Sequence, residues 1–230
     1  MELSKRLQMN VDLVPSGTGV GDIGCDHGYV SIYLAKNRRY KKVVAMDVNP
    51  GPLQIAKKNI ERAGLSEVIE CRLSDGLQRL HPGEVDILMI AGMGGMLICR
   101  ILKEYPAVLE QVETLVLQPQ SDLAEVRKCV HALGYRIDTE SVCVDAGKYY
   151  FSIRAVRGAE EDTYTEKEYR YGRLLIKEKN EVYREYLSQE KRKKEHIRQQ
   201  LTCKQTQNAK ERALAISHIL DEIDEILKVF

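Results

Sequence analysis

Four short segments in the first half of the chain place acids and glycines where a ligand could be held. Asp22-Ile-Gly-Cys-Asp-His-Gly-Tyr29 follows a strand-like run and opens a helix-like one. Gly24 and Gly28 within it let the backbone turn tightly and pass close to a ligand. Asp47 ends the run Val43 to Asp47, 23 residues after Gly24. A carboxylate there can accept hydrogen bonds from both hydroxyls of an adenosine ribose, although nicotinamide cofactors are held similarly. Leu73-Ser-Asp-Gly-Leu77 supplies Asp75, an acid able to face an adenine amino group, and Gly76 beside it. Ile90-Ala-Gly-Met-Gly-Gly95 leaves bare backbone at Gly92, Gly94 and Gly95 for a ligand to lie against. Each segment has a plainer reading. The first is also a simple strand-to-helix turn, Asp47 a surface residue before Asn49-Pro50, and Met93 a core side chain. The joint pattern decides. Four successive strand ends carry this chemistry on one sheet edge, the carboxyl edge at which open α/β sheets bind ligands.

The elements that must position these residues alternate between strand and helix over residues 1 to about 157, as βαβ units do. Glu2 to Leu13 reads as an amphipathic helix, Val20 to Ile23 as the first strand and Gly28 to Lys36 as a crossover helix. Pro50 to Ala63 is a helix with Pro52 in its first turn and Gly64 past its end. Val68 to Leu73 is the third strand, and Val85 to Ala91 is apolar enough for a central strand buried on both faces. Gly95 to Lys103 and Asp122 to Leu133 read as helices flanking a strand at Glu113 to Gln118. Two strands, Tyr135 to Val144 and Tyr149 to Val156, then follow around Asp145-Ala-Gly-Lys148 with no helix between them. A parallel sheet closing on an antiparallel hairpin is the layout of the Rossmann-like methyltransferase fold, with seven strands. It is not that of a dinucleotide-binding dehydrogenase half, whose G-x-G-x-x-G is also missing here.

Beyond the polar linker Gly158 to Thr163 the pattern changes. From Thr165 to Phe230 there is no proline and one glycine, Gly172. Apolar residues recur in steps of three and four at Leu175, Val182, Tyr186, Ile197 and Leu201, then at Ala213, Ile216, Leu220, Ile223 and Leu227. The spacing predicts an antiparallel coiled-coil hairpin turning near residues 202 to 208. The expected division is residues 1–160 as a ligand-binding catalytic domain and 161–230 as the helical one. Net charge is +1, but it is polarised: Arg173 to Arg212 holds 12 Lys/Arg against 6 Asp/Glu, and Ala213 to Phe230 one Lys against four acids. Six scattered cysteines without metal-ligand spacing argue against both zinc and a disulfide framework. With no membrane span and no signal peptide, the expectation is a cytoplasmic protein. A monomer is favoured.

Asp22-Ile-Gly-Cys-Asp-His-Gly-Tyr29, Ala45-Met-Asp-Val-Asn49, Ser74-Asp-Gly76, Ala91-Gly-Met-Gly-Gly95 and Leu117-Gln-Pro119 together resemble the bacterial tRNA (adenine-22-N1)-methyltransferase family. Leu3-Ser-Lys-Arg-Leu7 resembles that family's opening, and the likeness covers essentially the whole chain. One departure is Gln120, where Asn is expected after Gln-Pro. The resemblance implies S-adenosyl-L-methionine as cofactor and tRNA as partner, with no metal and no membrane. It implies that Gly24, Asp26, His27 and Gly28 surround the methionine part, with Asp22 also among the cofactor-binding residues. Asp47 would hold the ribose, Asp75 and Gly76 the adenine, and Gly92 and Met93 the floor, with Val48 also at the cofactor.

Adenine N1 carries its own lone pair, so methylation there needs positioning and charge placement rather than a covalent enzyme intermediate. Asp26 is the first candidate for opposing the positive charge of the product or taking a proton, and His27 the second. Asp26 is equally readable as a purely structural or cofactor-holding acid, and His27 as a cap of the following helix. Tyr29 offers a stacking face, and Gln118 or Gln120 an amide to read the base. The basic runs Lys36 to Lys42 and Lys191 to Lys194 are candidate phosphate contacts, or simply solvated faces. Competing readings are a methyltransferase of another RNA position, a protein or a small molecule, with the hairpin serving dimerisation, and a non-catalytic RNA-binding protein on the same fold.

Overall fold

The computed structural model describes residues 2–38, 40–204 and 206–230 and divides into two compact units, Met1–Thr163 and Tyr164–Phe230. In the first, α1 (Lys5–Leu13) precedes β1 (Gly19–Ile23), α2 (Tyr29–Arg38), β2 (Lys42–Asp47), α3 (Pro50–Arg62) and β3 (Ile69–Leu73). Then come β4 (Ile87–Met93), α4 (Gly95–Glu104), α5 (Pro106–Leu109), β5 (Thr114–Pro119), α6 (Leu123–Ala132), β6 (Tyr135–Asp145) and β7 (Lys148–Arg157). The seven strands form one sheet in the order β3-β2-β1-β4-β5-β7-β6. Pairing is parallel from β3 through β5, and antiparallel for β7 against β5 and β6. The chain reverses direction on either side of β1, so β1 and β4 flank the crevice where such sheets bind ligands.

Alternate strand residues Val20, Val43, Ala45, Ile87, Met89 and Val116 pack with Val11, Ile32, Leu34, Ala56 and Ile60 of α1, α2 and α3. By the two-residue period of a strand, Leu88, Ile90, Leu115 and Leu117 face the other side; α4 and α6 pack against one another and bury Ile98, Leu102, Val126 and Val130. Burying both faces is what parallel strands require. β4 begins at Ile87 rather than Val85 because Asp86 serves β1: its carboxylate accepts the N–H groups of Thr18 and Gly19, the latter at 2.7 Å. The tip between β6 and β7 is two residues, Ala146 and Gly147, both at positive φ (48° and 75°), the hairpin turn that suits twisted strands.

The second unit contains four helices among the described residues, where the periodicity suggested two. α7 (Glu166–Tyr171) and α8 (Arg173–Glu178) are separated by Gly172 at φ 81°, and α8 ends at Lys179 in the left-handed conformation. α9 (Glu181–Thr202) and α10 (Gln207–Leu227) form the hairpin. They run antiparallel, since Lys191 pairs with Asp224 and Arg198 donates to Ser217. The buried seam also shifts. Tyr183 and Leu187 are buried rather than Val182 and Tyr186, Ile226 rather than Leu227, and Ile197 is exposed. The break at Lys179 resets the helical phase, which a continuous count cannot register.

Candidate active site

A cleft of about 610 Å³ opens at the carboxyl ends of β1 to β4, within the usual size range of small-ligand sites. Its first wall is the loop after β1. Gly24 and Cys25 donate their N–H groups to the Met46 carbonyl at 2.8 and 2.9 Å, which ties the loop to β2. Gly24 sits at φ 76°, and a Cβ there would collide with Met93 Cε. Asp26 is left-handed too, at φ 49°, a conformation that aspartate tolerates better than most residues. Its side chain is 71% exposed, while its N–H donates to Asp47 Oδ2 at 3.2 Å.

Asp47 itself is 7% exposed, and its Oδ1 accepts the Asn49 N–H at 2.8 Å. Each carboxylate oxygen therefore holds one backbone donor and keeps capacity for another. That donor set fits a vicinal diol. Beneath it, Asp22 is buried and accepts the Ser31 hydroxyl at 2.6 Å. Burial pushes its carboxyl up to about 6, against the lowering effect of the Ser31 bonds, and the nearby Asp47 charge adds to the rise. The folded state thus keeps a proton that the unfolded chain releases. Stability from this group is fully present below about pH 4 and is lost as pH rises through about 6. Asp22→Asn keeps an acceptor for Ser31 without the charge. In urea unfolding at pH 4 and pH 7.5, the variant is expected to gain on the parent at the higher pH by about 1–3 kcal/mol. An equal difference at both pH values would contradict the assignment.

His27 lines the cleft with Nδ1 buried and unpaired among the described residues. Its Nε2 lies 3.6 Å from Asp26 Oδ1, and its ring centroid 5.8 Å from that of Tyr29. Tyr29 and Val48 are exposed on the cleft wall. At the β3 end, Asp75 lies 3.6 Å from Arg100, and Gly76, at φ 53°, has Ile101 packed where a Cβ would go. At the β4 end, Gly92, at φ 77°, coincides with a register shift against β5. Such bulges re-aim the backbone beside sites.

Two expected site residues lie elsewhere. Gly28 does not line the cleft; a Cβ on it would meet Ala56 Cβ at 3.1 Å, so it serves close packing of α2 on α3. Gln118 is fully buried. Its Oε1 accepts from Arg6 Nη1 at 3.0 Å and its Nε2 donates to the Pro119 carbonyl at 3.1 Å, so it does not present its amide to a base. Gln120 does line the cleft, as do Arg6, Leu97 and Arg100, which the strand-end pattern had no means of finding. Of the basic run Lys36 to Lys42, Arg39 lies outside the described residues, and Lys42 pairs with Glu84 at 2.5 Å and Glu70 at 3.3 Å. Among the described residues no group of three or more His, Cys, Asp or Glu could hold a metal, and no helix is long and apolar enough to cross a membrane.

The strand order, the antiparallel β7 and the acid-and-glycine strand ends define an S-adenosylmethionine-dependent methyltransferase of Rossmann-like fold. Residues 20–225 match the family model described as tRNA (adenine(22)-N(1))-methyltransferase. The enzyme of that name from Bacillus subtilis (strain 168) is 31% identical over 99% of this chain and 98% of its own. A Streptococcus pneumoniae chain solved in complex with S-adenosyl-L-methionine is 33% identical with a TM-score of 0.88, covering 98% of this chain and 100% of that one. The M. capricolum TrmK structure in complex with S-adenosyl-homocysteine is 28% identical with a TM-score of 0.86, covering 100% and 99%. The chain belongs to the tRNA (adenine(22)-N(1))-methyltransferase family.

Proposed function

We propose that this chain transfers a methyl group from S-adenosyl-L-methionine to N1 of adenine 22 in tRNA. Met1–Thr163 is the catalytic unit, and Tyr164–Phe230 helps to hold the tRNA. The observation that carries the reading is the Asp47 carboxylate, fixed by two backbone N–H groups at the edge of a glycine-lined cleft. Bound there, the cofactor supplies an electrophilic methyl group. Asp47 holds the ribose hydroxyls, and Asp75, Gly76 and Val48 flank the adenosine. Gly24, Gly92 and Met93 shape the floor beneath the methionine part. N1 lies on the Watson–Crick edge, so the target base must leave any pair or stack. Tyr29 gives it a stacking face, and the Gln120 amide meets its edge. Asp26, left-handed and exposed into the cleft, opposes the positive charge that methylation leaves on the ring, with His27 beside it.

The charge pattern of the second unit supports an RNA-holding role toward the hairpin's turn. Lys167, Arg170, Arg173 and Lys191 are neutralised by Glu225, Glu222, Glu168 and Asp224. Arg192, Lys204, Lys210 and Arg212 have no ion pair among the described residues. Cations left unpaired are those that can release counterions from phosphates. The test is methylation of unmodified tRNA, then nucleoside mass spectrometry and mapping of the modified position. N1-methyladenosine at position 22 is expected; label only in another nucleoside or position would overturn the reading. In the same assay, Arg192→Glu with Lys204→Glu is expected to raise the KM for tRNA about tenfold, while cofactor affinity stays unchanged. An unchanged KM would remove the hairpin from tRNA binding.

A further inference from the structure

α4 starts at the β4 end of the cleft, and its outer face changes character along its length. The helix buries Gly95, Ile98, Cys99, Ile101 and Leu102. The positions left outside are Met96, Leu97, Arg100, Lys103 and Glu104. The last three are charged, as a solvated helix face should be. The first two are apolar and uncovered, Met96 at 59% exposure and Leu97 at 39%. They lie side by side in the first turn, at the rim of the site. Leu97, Arg100 and Ile101 line the cleft, whereas Met96 is not part of its lining and stands one step around the helix. Met96, Arg100 and Lys103 follow at i, i+4 and i+7, so an apolar tip is backed by two cations in one row. Lys103 has no ion pair among the described residues. Tyr29, at the start of α2 on the β1 side of the crevice, is the exposed aromatic ring of the same cleft. Neither the core nor the cofactor as placed above gives Met96 and Leu97 a task.

We propose that Met96 and Leu97 form the wedge that opens the tRNA stack at the target adenine and fills the gap while that base is in the cleft. The inference rests on the proposed methylation of an adenine at N1. That reaction creates the space to be filled. A base drawn into the cleft loses its stacking neighbours, and the faces it leaves behind are apolar. Proteins that pry base steps apart do so with Leu, Ile, Met, Phe or Pro side chains. A thioether also makes favourable contacts with aromatic rings. The row of charge selects this occupant over an apolar protein surface, because phosphates beside the extruded nucleotide can run past Arg100 and Lys103. The two residues divide the work by their places on the helix. Leu97, turned to the cleft, borders the path of the base. Met96, outside it, meets the neighbour that stays behind. The adenine thus exchanges base neighbours for the Tyr29 ring, and the stack exchanges the adenine for a methionine.

The test uses the full chain and tRNA carrying 2-aminopurine, whose fluorescence rises on unstacking, at position 22. S-adenosyl-homocysteine is present so that no transfer occurs. The wild type is expected to raise the fluorescence, and Met96→Ala at saturation to give less than about half of that rise. In single-turnover methylation of ordinary tRNA, Met96→Ala should be about tenfold slower, and Met96→Leu should keep most of the rate. Folding is not at stake, since Met96 is on the surface and alanine is the better helix former. On tRNA whose two nucleotides flanking position 22 are abasic, no stack has to be opened, and the wild type and Met96→Ala should agree within about twofold. An unchanged fluorescence rise in Met96→Ala would overturn the proposal. So would a variant equally slowed on both tRNAs, because its loss would then lie in the chemistry and not in the stack. A concentration-dependent dimer that Met96→Ala abolishes would give this face to a second copy of the chain instead. If the wild type leaves adenine 22 of ordinary tRNA unmethylated, the functional reading fails, and this one with it.

Discussion

Asp47→Ala is expected to weaken S-adenosyl-L-methionine binding by about 100-fold or more and to abolish methylation at ordinary cofactor concentrations. The argument is one of donors and acceptors. A hydrogen bond to an ionised group contributes about 1.5–3 kcal/mol, and the carboxylate is placed to accept two from a ribose. Each 1.4 kcal/mol is about tenfold in affinity. Asp47→Asn retains one oxygen and loses the charge, so an intermediate loss of about tenfold is expected. The alanine variant also frees the Asp26 and Asn49 N–H groups that the carboxylate now holds. Thermal unfolding without ligand separates the two effects: the wild type should gain melting temperature on adding cofactor, and Asp47→Ala should not. Removing this charge also takes away one of the influences that raise Asp22, so the Asp22 carboxyl should titrate lower in the variant. Cofactor affinity within twofold of the wild type would displace Asp47 from the site.

Much of that site was legible because its chemistry sits at strand ends. In a parallel sheet every strand end of one kind falls on one edge, so Gly24, Asp47, Asp75 and Gly92 are gathered by topology alone, whatever the details of packing. The strand pattern gave the sheet for the same reason: Ile87 to Ile90 and Leu115 to Leu117 are continuous apolar runs, as burial on both faces demands. Arg6 shows where such reading stops. It arrives at the cleft from a helix that precedes the sheet, fixed there by Asp145 and Gln118, more than a hundred residues away. Periodicity reports which face of an element is buried and not which element it meets. Gln118 lies outside the cleft lining for a related cause. β5 is central and buried on both sides, so the side chain at its end turns inward to a partner invisible in the sequence. In the second unit the helical period was visible, but its phase was not, because one left-handed residue, Lys179, shifts the seam from Tyr186 to Tyr183 and Leu187.

Arg127→Met is expected to destabilise the first unit by about 3–5 kcal/mol, the largest loss foreseen for a residue remote from the cleft. Arg127 of α6 donates Nε to Glu140 Oε1 of β6 at 2.7 Å, and both side chains are 1% exposed. Thirteen residues and an element boundary separate them, so no local spacing rule pairs them in the sequence. Removing one partner leaves the other charged and dry, which costs far more than the pair gains over an apolar contact. For a chain of this size the loss corresponds to a fall in melting temperature of about 10 °C. The decisive comparison is the double variant Arg127→Met with Glu140→Leu. With neither charge left to desolvate, it is expected to regain most of the lost stability. A double variant as unstable as the sum of the two single ones would mean that the pair acts through its other contacts and not through mutual charge. Cofactor affinity should be unchanged in the double variant, since α6 and β6 contribute no residue to the cleft. The pair stands at the sheet's antiparallel end, where β6 is the outermost strand and, among the described residues, pairs with β7 alone. An ion pair that joins this edge to α6 accepts few wrong registers, because a one-residue slip of β6 would carry Glu140 to the opposite face. Slippage or aggregation in Arg127→Met, absent from the double variant, would be the kinetic sign of the same misplaced charge.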